Sequence, residues 1–344
     1  MFLSHRLSYS LNIPNQALFF FSFASSPMPI LWVVPWRNQY FQDIQCPEDV
    51  IVPTKDFHVW PMYPDHRWIY DKLAVAVSQG LQAAPHGVPP PFYPVFSKPI
   101  TNLRGMGAGS LILPDEDTYL ASLQPGHFWS PLHTGAHVSS DAAVIDGKPV
   151  WWRHTTGIAS GRGTFDYWHI HAEARPELES YCGDWSMKHL AGYTGMANFE
   201  TIGGRIIEAH LRLTDQWPDL YGAGWLDAVV QLYGEAQWDF DDTDRKDCYS
   251  VLLFTQHGRQ RYPHPSAESM ARVLAEPGIK SVQIPFQEDM DASKYSMPPG
   301  GFRLAIINAT TLEAGFWAKD MLRKAIFHPE NEGKQERLLH SSHI

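Results

Sequence analysis

Cysteine is scarce in this chain. Cys46, Cys182 and Cys248 are far apart and form no C-x-x-C pair. This spacing excludes a disulfide framework and a thiolate zinc site, and it suits a reducing compartment. Apolar runs long enough to cross a bilayer are also lacking. The run Ala17–Ala24, behind His5 and Arg6, has the look of a weak signal peptide but is too short to span. Residues 1–27 are therefore expected to be an extension ahead of a functional start near Met28, with no stable membrane insertion and a cytoplasmic location. Basic residues are in the minority, 27 Lys and Arg against 37 Asp and Glu, for a formal charge of −10. That balance argues against a general nucleic-acid partner, although a few local cations can still hold a polyphosphate. Several sequence motifs are missing too: no G-x-x-x-x-G-K-[ST], no G-x-G-x-x-G opening a helix, no G-x-S-x-G and no H-E-x-x-H. The commonest kinase, dehydrogenase, α/β-hydrolase and metalloprotease readings go with them.

What is present is ample material for a core: 44% hydrophobic residues, with 13% aromatics, over 344 positions. From Met28 to about Asp65 the text is strand-like and broken by proline, with Ile30–Val34, Val50–Val52 and Phe57–Trp60 as candidate strands. Apolar positions from Trp68 to Leu81 recur at helical spacing, and Pro85 and Pro89–Pro91 stop that helix. Phe92 to Leu113 reads as strand, glycine loop, strand, followed by a short helix over Asp115–Leu123. Strands His137–Ile145 and Lys148–His154 meet at Asp146-Gly147. Phe165–His171 is another strand, and helices are expected over Arg175–Tyr193, Trp225–Tyr233 and Leu312–Ala325. Tyr249–Thr255, Ser281–Phe286 and Phe302–Ile307 read as late strands, and the tail after Pro329 as a polar, frayed end.

The stretch Gly195–Arg212 reads as a β-hairpin. Gly203-Gly204 supplies the positive-φ positions of a tight turn. Asn198 and Glu200 share one face of the first strand; Glu208, His210 and Arg212 share one face of the second, with Ile207, Ala209 and Leu211 opposite. A solvated strand face would carry similar residues. Upstream, however, Lys72 lies in the first helix, Lys98 ends a strand, and a loop with Arg104, Gly105, Gly107 and Gly109 follows. A strand-borne lysine can hold a phosphate oxygen, and alternating glycines let backbone N–H groups close over phosphates. Paired carboxylates can hold Mg²⁺ against them, and an arginine can stabilise the charge that develops in phosphoryl transfer.

Order and spacing together resemble the ATP-grasp superfamily, the ATP-dependent carboxylate ligases that include biotin carboxylase and carbamoyl phosphate synthetase. Four segments carry the resemblance: Y-D-K-L at Tyr70–Leu73 with the exit Q-G-L-Q-A-A-P; Y-P-V-F-S-K-P at Tyr93–Pro99 with its glycine loop; T-G-A-H-V-S-S-D at Thr134–Asp141 followed by A-V-I-D-G; and the hairpin, similar to "G-x-x-N-x-[EQ] … E-x-N-x-R". The resemblance implies an α+β fold of two subdomains with ATP between them. It divides the chain into an extension (1–27), a reduced N-terminal strand region (28–67), the ATP-grasp domain (68–234), a β-rich C-terminal accessory region (235–328) and a polar tail (329–344).

The resemblance further implies that Lys72 and Lys98 bind ATP phosphates, that the loop Arg104–Gly109 closes over them, and that Glu200 and Glu208 hold Mg²⁺, with Mn²⁺ as an alternative. Arg212 would face an acyl-phosphate formed from a small-molecule carboxylate before a nucleophile takes it. His210 stands where the family has an asparagine ligand, which replaces an oxygen donor by a nitrogen; it either contacts substrate or water, or shifts the metal preference. His137 replaces a family glutamate, and the hinge segment Phe128–Leu132 lacks the usual acidic residue. Asn198 is expected to be structural. Two other readings stand beside the ligase: a nucleotide-binding protein without catalysis, and an ATP-dependent phosphotransferase on the same fold. A homodimer is compatible with the sequence. A separate metal constellation is conceivable at the H-x-H of His169 and His171 with His127, His133 and His154. Trp151, Trp152 and Trp217 read as core or pocket wall.

Overall fold

The computed structural model describes residues 30, 35–101, 107–161, 163–295, 298 and 300–328. The candidate residues Arg104 and Gly105, the extension and the polar tail lie outside them. The N-terminal region carries α1 (Pro35–Phe41) and α2 (Asp56–Met62). Strands were expected here, and the correction at α2 has a clear cause. Asp56 and Val59, three apart, are buried, while Phe57 and Trp60 are exposed, so burial follows a helical period. Ile30 forms only an isolated parallel bridge to Val52, and the remainder of the expected strand lies outside the described residues. The helix expected from Trp68 begins four residues later, as α3 (Lys72–Ser78), behind a 3₁₀ turn over Pro64–Tyr70. Asp71 is its N-cap, accepting the Ala74 N–H at 2.8 Å.

Next come β1 (Ala84–Pro85), β2 (Val95–Pro99), β3 (Leu111–Leu113), α4 (Glu116–Ala121) and β4 (His127–Pro131). The four strands form a small antiparallel sheet in the order β1-β4-β2-β3. The segment expected as a hinge, Phe128–Leu132, is therefore largely strand.

The rest of the chain builds one eight-stranded sheet. Its strands are β5 (His137–Ile145), β6 (Lys148–Gly161), β7 (Thr164–Ile170), β8 (Gly195–Ile202), β9 (Arg205–His210), β10 (Cys248–Thr255), β11 (Ile279–Gln283) and β12 (Phe302–Ala309), in the order β11-β12-β10-β7-β6-β5-β8-β9. Helices α5 (Pro176–His189), α6 (Trp225–Glu235), α7 (Ala267–Leu274) and α8 (Leu312–Phe327) cover it. The segment after residue 235, read from sequence as an accessory region, thus supplies three strands that continue the same sheet.

Alternation along β5 shows why helices lie on both faces. Ala143 packs in a cluster with Trp225 and Val229 of α6, whereas its neighbours Ala142 and Val144 pack with Val75 of α3 and Cys182 and Trp185 of α5. Met196 and Ala197 divide the same way on β8. On α8, Ala318, Leu322 and Ile326 recur every four residues and pack in one core with Val251, Leu304 and Val282 of the three late strands. The protein is α+β, as expected. Among the described residues no helix is long and apolar enough to cross a membrane.

Candidate active site

The hairpin forms as read. Gly203 and Gly204 have φ of 56° and 76°, and the register sets Glu200 directly opposite Glu208 and Asn198 opposite His210. One detail differs from strict alternation. The ladder slips between Glu200 and Thr201, pairing Thr201 with Ile206 and leaving Ile207 as an extra residue on β9. Ile206, Ala209 and Leu211 therefore form the buried apolar set, in place of Ile207, Ala209 and Leu211. The bulge also frees the Ile207 carbonyl, and Lys98 Nζ donates to it at 2.8 Å.

This bond brings β2 of the small sheet over the hairpin of the large one. Between them lies a cavity of about 350 Å³. Leu81, Phe96, Phe128 and Ile206 line its apolar part; Lys72, Lys98, Glu200 and Glu208 line its charged part. Lys72, the first residue of α3, donates to Glu208 Oε2 at 2.9 Å, with its side chain only 9% exposed. Burial and then the neighbouring Lys72 charge pull the Lys98 ammonium down to about 8. His137 Nε2 lies 3.3 Å from Glu200 Oε2. Burial by itself would raise the Glu200 carboxyl, but the His137 contact and the His210 charge outweigh it and hold the group near 2. Of the glycine-loop residues in the structure, Gly107 reaches the cavity, while Gly109 packs against Pro99 and His127.

Behind the charged wall stands a residue that no motif marks. Asp56 Oδ1 accepts from His210 Nδ1 at 3.0 Å, Arg212 Nε at 3.0 Å and Tyr70 Oη at 3.3 Å. Burial disfavours the Asp56 anion, yet Arg212 and His210 hold its carboxyl well below the usual carboxylate range. The same contact raises the His210 imidazole against the opposing effect of burial. With Nδ1 fixed, His210 Nε2 points between the carboxylates, 3.5 Å from Glu208 Oε1 and 3.9 Å from Glu200 Oε1. Beyond Arg212, Asp215 binds Arg37 Nη1 at 2.8 Å and Lys55 Nζ at 3.2 Å. Sequence reasoning missed Asp56, Arg37 and Lys55, which reach the site from an N-terminal region with no fixed spacing to the hairpin, and Asp215, which lies three residues beyond Arg212 but belongs to no motif.

Asn198 has a structural setting: buried, its Nδ2 donates to Ser139 Oγ and Asp141 Oδ1 at 2.9 and 2.7 Å. Trp151 packs in the core, as does Trp217; Trp152 packs partly buried on the opposite side. The five-histidine constellation does not assemble. His133 lines the cavity, the His127 ring lies 5.7 Å from that of His86 and tilted to it, and His154 spends its two ring nitrogens on Ser140 and Glu179. His169 and His171 do stay together.

Two carboxylates paired across the hairpin, with an imidazole nitrogen between them, are a donor set that fits a divalent cation. An apolar pocket ending in two lysines fits a planar base that carries phosphates. The fold agrees with that reading. No protein-family model matches the sequence, and no curated protein matches it. Solved structures do match in shape. The phosphoribosylamine–glycine ligase of Thermotoga maritima aligns with a TM-score of 0.57 at 16% identity, over 81% of this chain and 83% of its own. A carboxyaminoimidazole ribonucleotide synthase of Aspergillus clavatus, solved with ATP, gives 0.54 at 12%, over 80% and 82%. An L-amino acid ligase of Bacillus licheniformis gives 0.53 at 12%, over 74% and 70%. The chain has the ATP-grasp fold. At such identities the likeness is one of fold, and the chemistry has to be argued from the residues.

Proposed function

We propose that this protein is an ATP-dependent ligase that activates a carboxylate as an acyl-phosphate and joins it to an amine or another nucleophile. The observation that carries the reading is the convergence of Lys72, Lys98, Glu200 and Glu208 on one end of an apolar cavity lying between the two sheets. Two structural neighbours named as ligases, and a third named as a synthase and solved with ATP, support it.

In this reading the base lies against Phe96, Phe128, Leu81 and Ile206, and the phosphates lie toward Lys72 and Lys98. Arg104 and Gly105, which lie outside the described residues shortly before Gly107 in the sequence, would contact phosphate in this reading. Glu200 and Glu208, with His210 beside them, would hold Mg²⁺ or Mn²⁺, which when bound neutralises charge between adjacent phosphoryl groups. A substrate carboxylate oxygen attacks the γ-phosphorus, the bond to the β-bridging oxygen breaks, and ADP leaves. The nucleophile then adds to the acyl carbon and phosphate departs with the electron pair. Arg212, held in place by Asp56, stabilises the charge on the transferring group.

A screen of carboxylic acids crossed with amines, read as ADP release with Mg²⁺ and with Mn²⁺, tests the proposal. Lys98→Ala, Glu208→Ala and Arg212→Ala should each abolish turnover while retaining the fold. Full turnover in all three would sink it. One observation favours a second reading, a nucleotide-binding protein without catalysis: Asp56 ties His210 into the gap between the carboxylates. ATP-dependent thermal stabilisation with no ADP formed across the whole panel would select that reading.

A further inference from the structure

We propose that His169, His171 and Asp247 form a second metal site, away from the nucleotide cavity, that takes a borderline divalent cation such as Zn²⁺. His169 lies near the end of β7 and His171 follows two residues later, so the sequence spacing points both to one side. The β7–β10 register pairs Ile170 with Cys248 in antiparallel fashion, which sets the preceding residue, Asp247, beside His171. One donor atom from each of the three lies within 4.8 Å of the other two.

The details fit coordination better than an ordinary hydrogen-bonded cluster. His169 Nε2 is buried and makes no hydrogen bond, although Asp247 Oδ2 faces it at 3.3 Å. With metal–ligand bonds of about 2.0–2.2 Å, two donors on one tetrahedral ion are separated by roughly 3.3 Å. Asp247 Oδ1 accepts the Ala172 N–H at 2.7 Å, which fixes the carboxylate and leaves Oδ2 turned to the histidine. The His169 ring is stacked on Tyr249 at 4.8 Å, with 19° between the planes. Outer contacts of this kind orient ligands in known sites. His171 Nε2 meets Thr156 Oγ1 at 2.7 Å and Arg175 Nη2 at 3.2 Å, so a cation taken by that nitrogen displaces both the hydroxyl and the guanidinium. Two nitrogens and one carboxylate select Zn²⁺ over the oxygen-seeking Mg²⁺. Three protein ligands leave a position for water, and Asp247, half exposed, opens the site to solvent. The ion would pin β7 to β10 near the middle of the large sheet. None of the three residues lines the cavity.

The test uses the whole chain, stripped with a chelator and dialysed against Zn²⁺ in excess Mg²⁺, with bound zinc measured by mass spectrometry. About one zinc per chain is expected, held through two histidines and a carboxylate as in other three-ligand sites. His169→Ala and Asp247→Asn should each weaken it by at least about tenfold, and Glu208→Gln should leave it unchanged. Asp247→Asn changes a half-exposed group, and a metal-free melting temperature equal to that of the parent keeps its result interpretable. The proposal is overturned if the parent binds no zinc, if zinc persists in a variant lacking all three ligands, or if it is lost on Glu208→Gln and kept on His169→Ala.

Discussion

His210 donates its Nδ1 proton to Asp56 Oδ1 at 3.0 Å across 154 residues of chain. That bond decides which way the irregular residue of the hairpin points. Asp56 is the acceptor because its carboxyl is ionised, and Arg212 shares the same oxygen. One carboxylate therefore sets both the nitrogen presented to the Glu200–Glu208 pair and the guanidinium beyond it.

Replacing Asp56 by Asn should cost about 3 kcal/mol, because it leaves Arg212 without its buried counter-ion and His210 without its anionic acceptor. The pH dependence has a definite sign. The folded carboxyl is held below its unfolded value, so the stability it contributes is complete above about pH 4 and is lost as pH falls further. Urea unfolding of parent and Asp56→Asn should diverge at neutral pH and converge in acid. Equal stabilities at pH 7 would remove Asp56 from its organising role.

Lys98 titrates near 8 in the free protein, pulled down by burial and by Lys72. For this base the unfolded chain binds the proton more tightly, so stability should rise with pH from about 8 to about 10.4, the unperturbed lysine value. Phosphate binding runs the other way, because it needs the ammonium. The ATP dissociation constant should climb above pH 8, by up to about tenfold per unit. Titration calorimetry in buffers of different ionisation enthalpy should show proton uptake on binding. In Lys98→Arg, whose guanidinium stays charged, the slope should largely vanish. A slope unchanged in that variant would mean that Lys98 is not the group responsible.

His210→Asn restores an oxygen donor between the two glutamates. Measured as ADP release, or as metal-dependent ATP binding, its ratio of Mn²⁺ to Mg²⁺ effectiveness should fall below that of the parent, since Mg²⁺ prefers oxygen ligands. An identical ratio in the two proteins would show that His210 Nε2 never meets the cation.

Gly203 occupies a position no other residue fits. At φ 56° a Cβ would stand 2.3 Å from the Thr134 carbonyl oxygen. Gly203→Ala should therefore destabilise the protein by about 1–3 kcal/mol, whereas Gly204→Ala, with nothing near its Cβ, should pay only for its positive φ. Paired denaturant curves check this, and a smaller loss at 203 than at 204 would refute the close approach.

Much of the fold was legible in the sequence where local signals agreed. Period-two patterning, Asp146-Gly147 and Gly203-Gly204 marked β5, β6, β8 and β9; direct pairing from that turn would set Glu200 opposite Ile207, and the bulge at Ile207 is what brings Glu208 opposite Glu200. Proline and helical periodicity marked α5, α6 and α8. The misread segments were those whose burial depends on distant partners. Phe57–Trp60 is rich in aromatics and looks like a strand, yet only Val59 and Asp56 turn inward, because Asp56 is drawn to His210 and Arg212. No motif named that residue.

The sequence by itself determined the order of the elements, the presence of Glu200 and Glu208 on the two hairpin strands and the lysines that precede them, because strand alternation, turn chemistry and spacing are local properties. Only the tertiary structure decided that the late strands extend the large sheet and that a bulge gives the Ile207 carbonyl to Lys98. It also decided that Asp56 orients His210 and that Asp247 joins the H-x-H pair. Each of these joins groups far apart in the chain, and their approach is set by packing and burial, which no spacing in the sequence records.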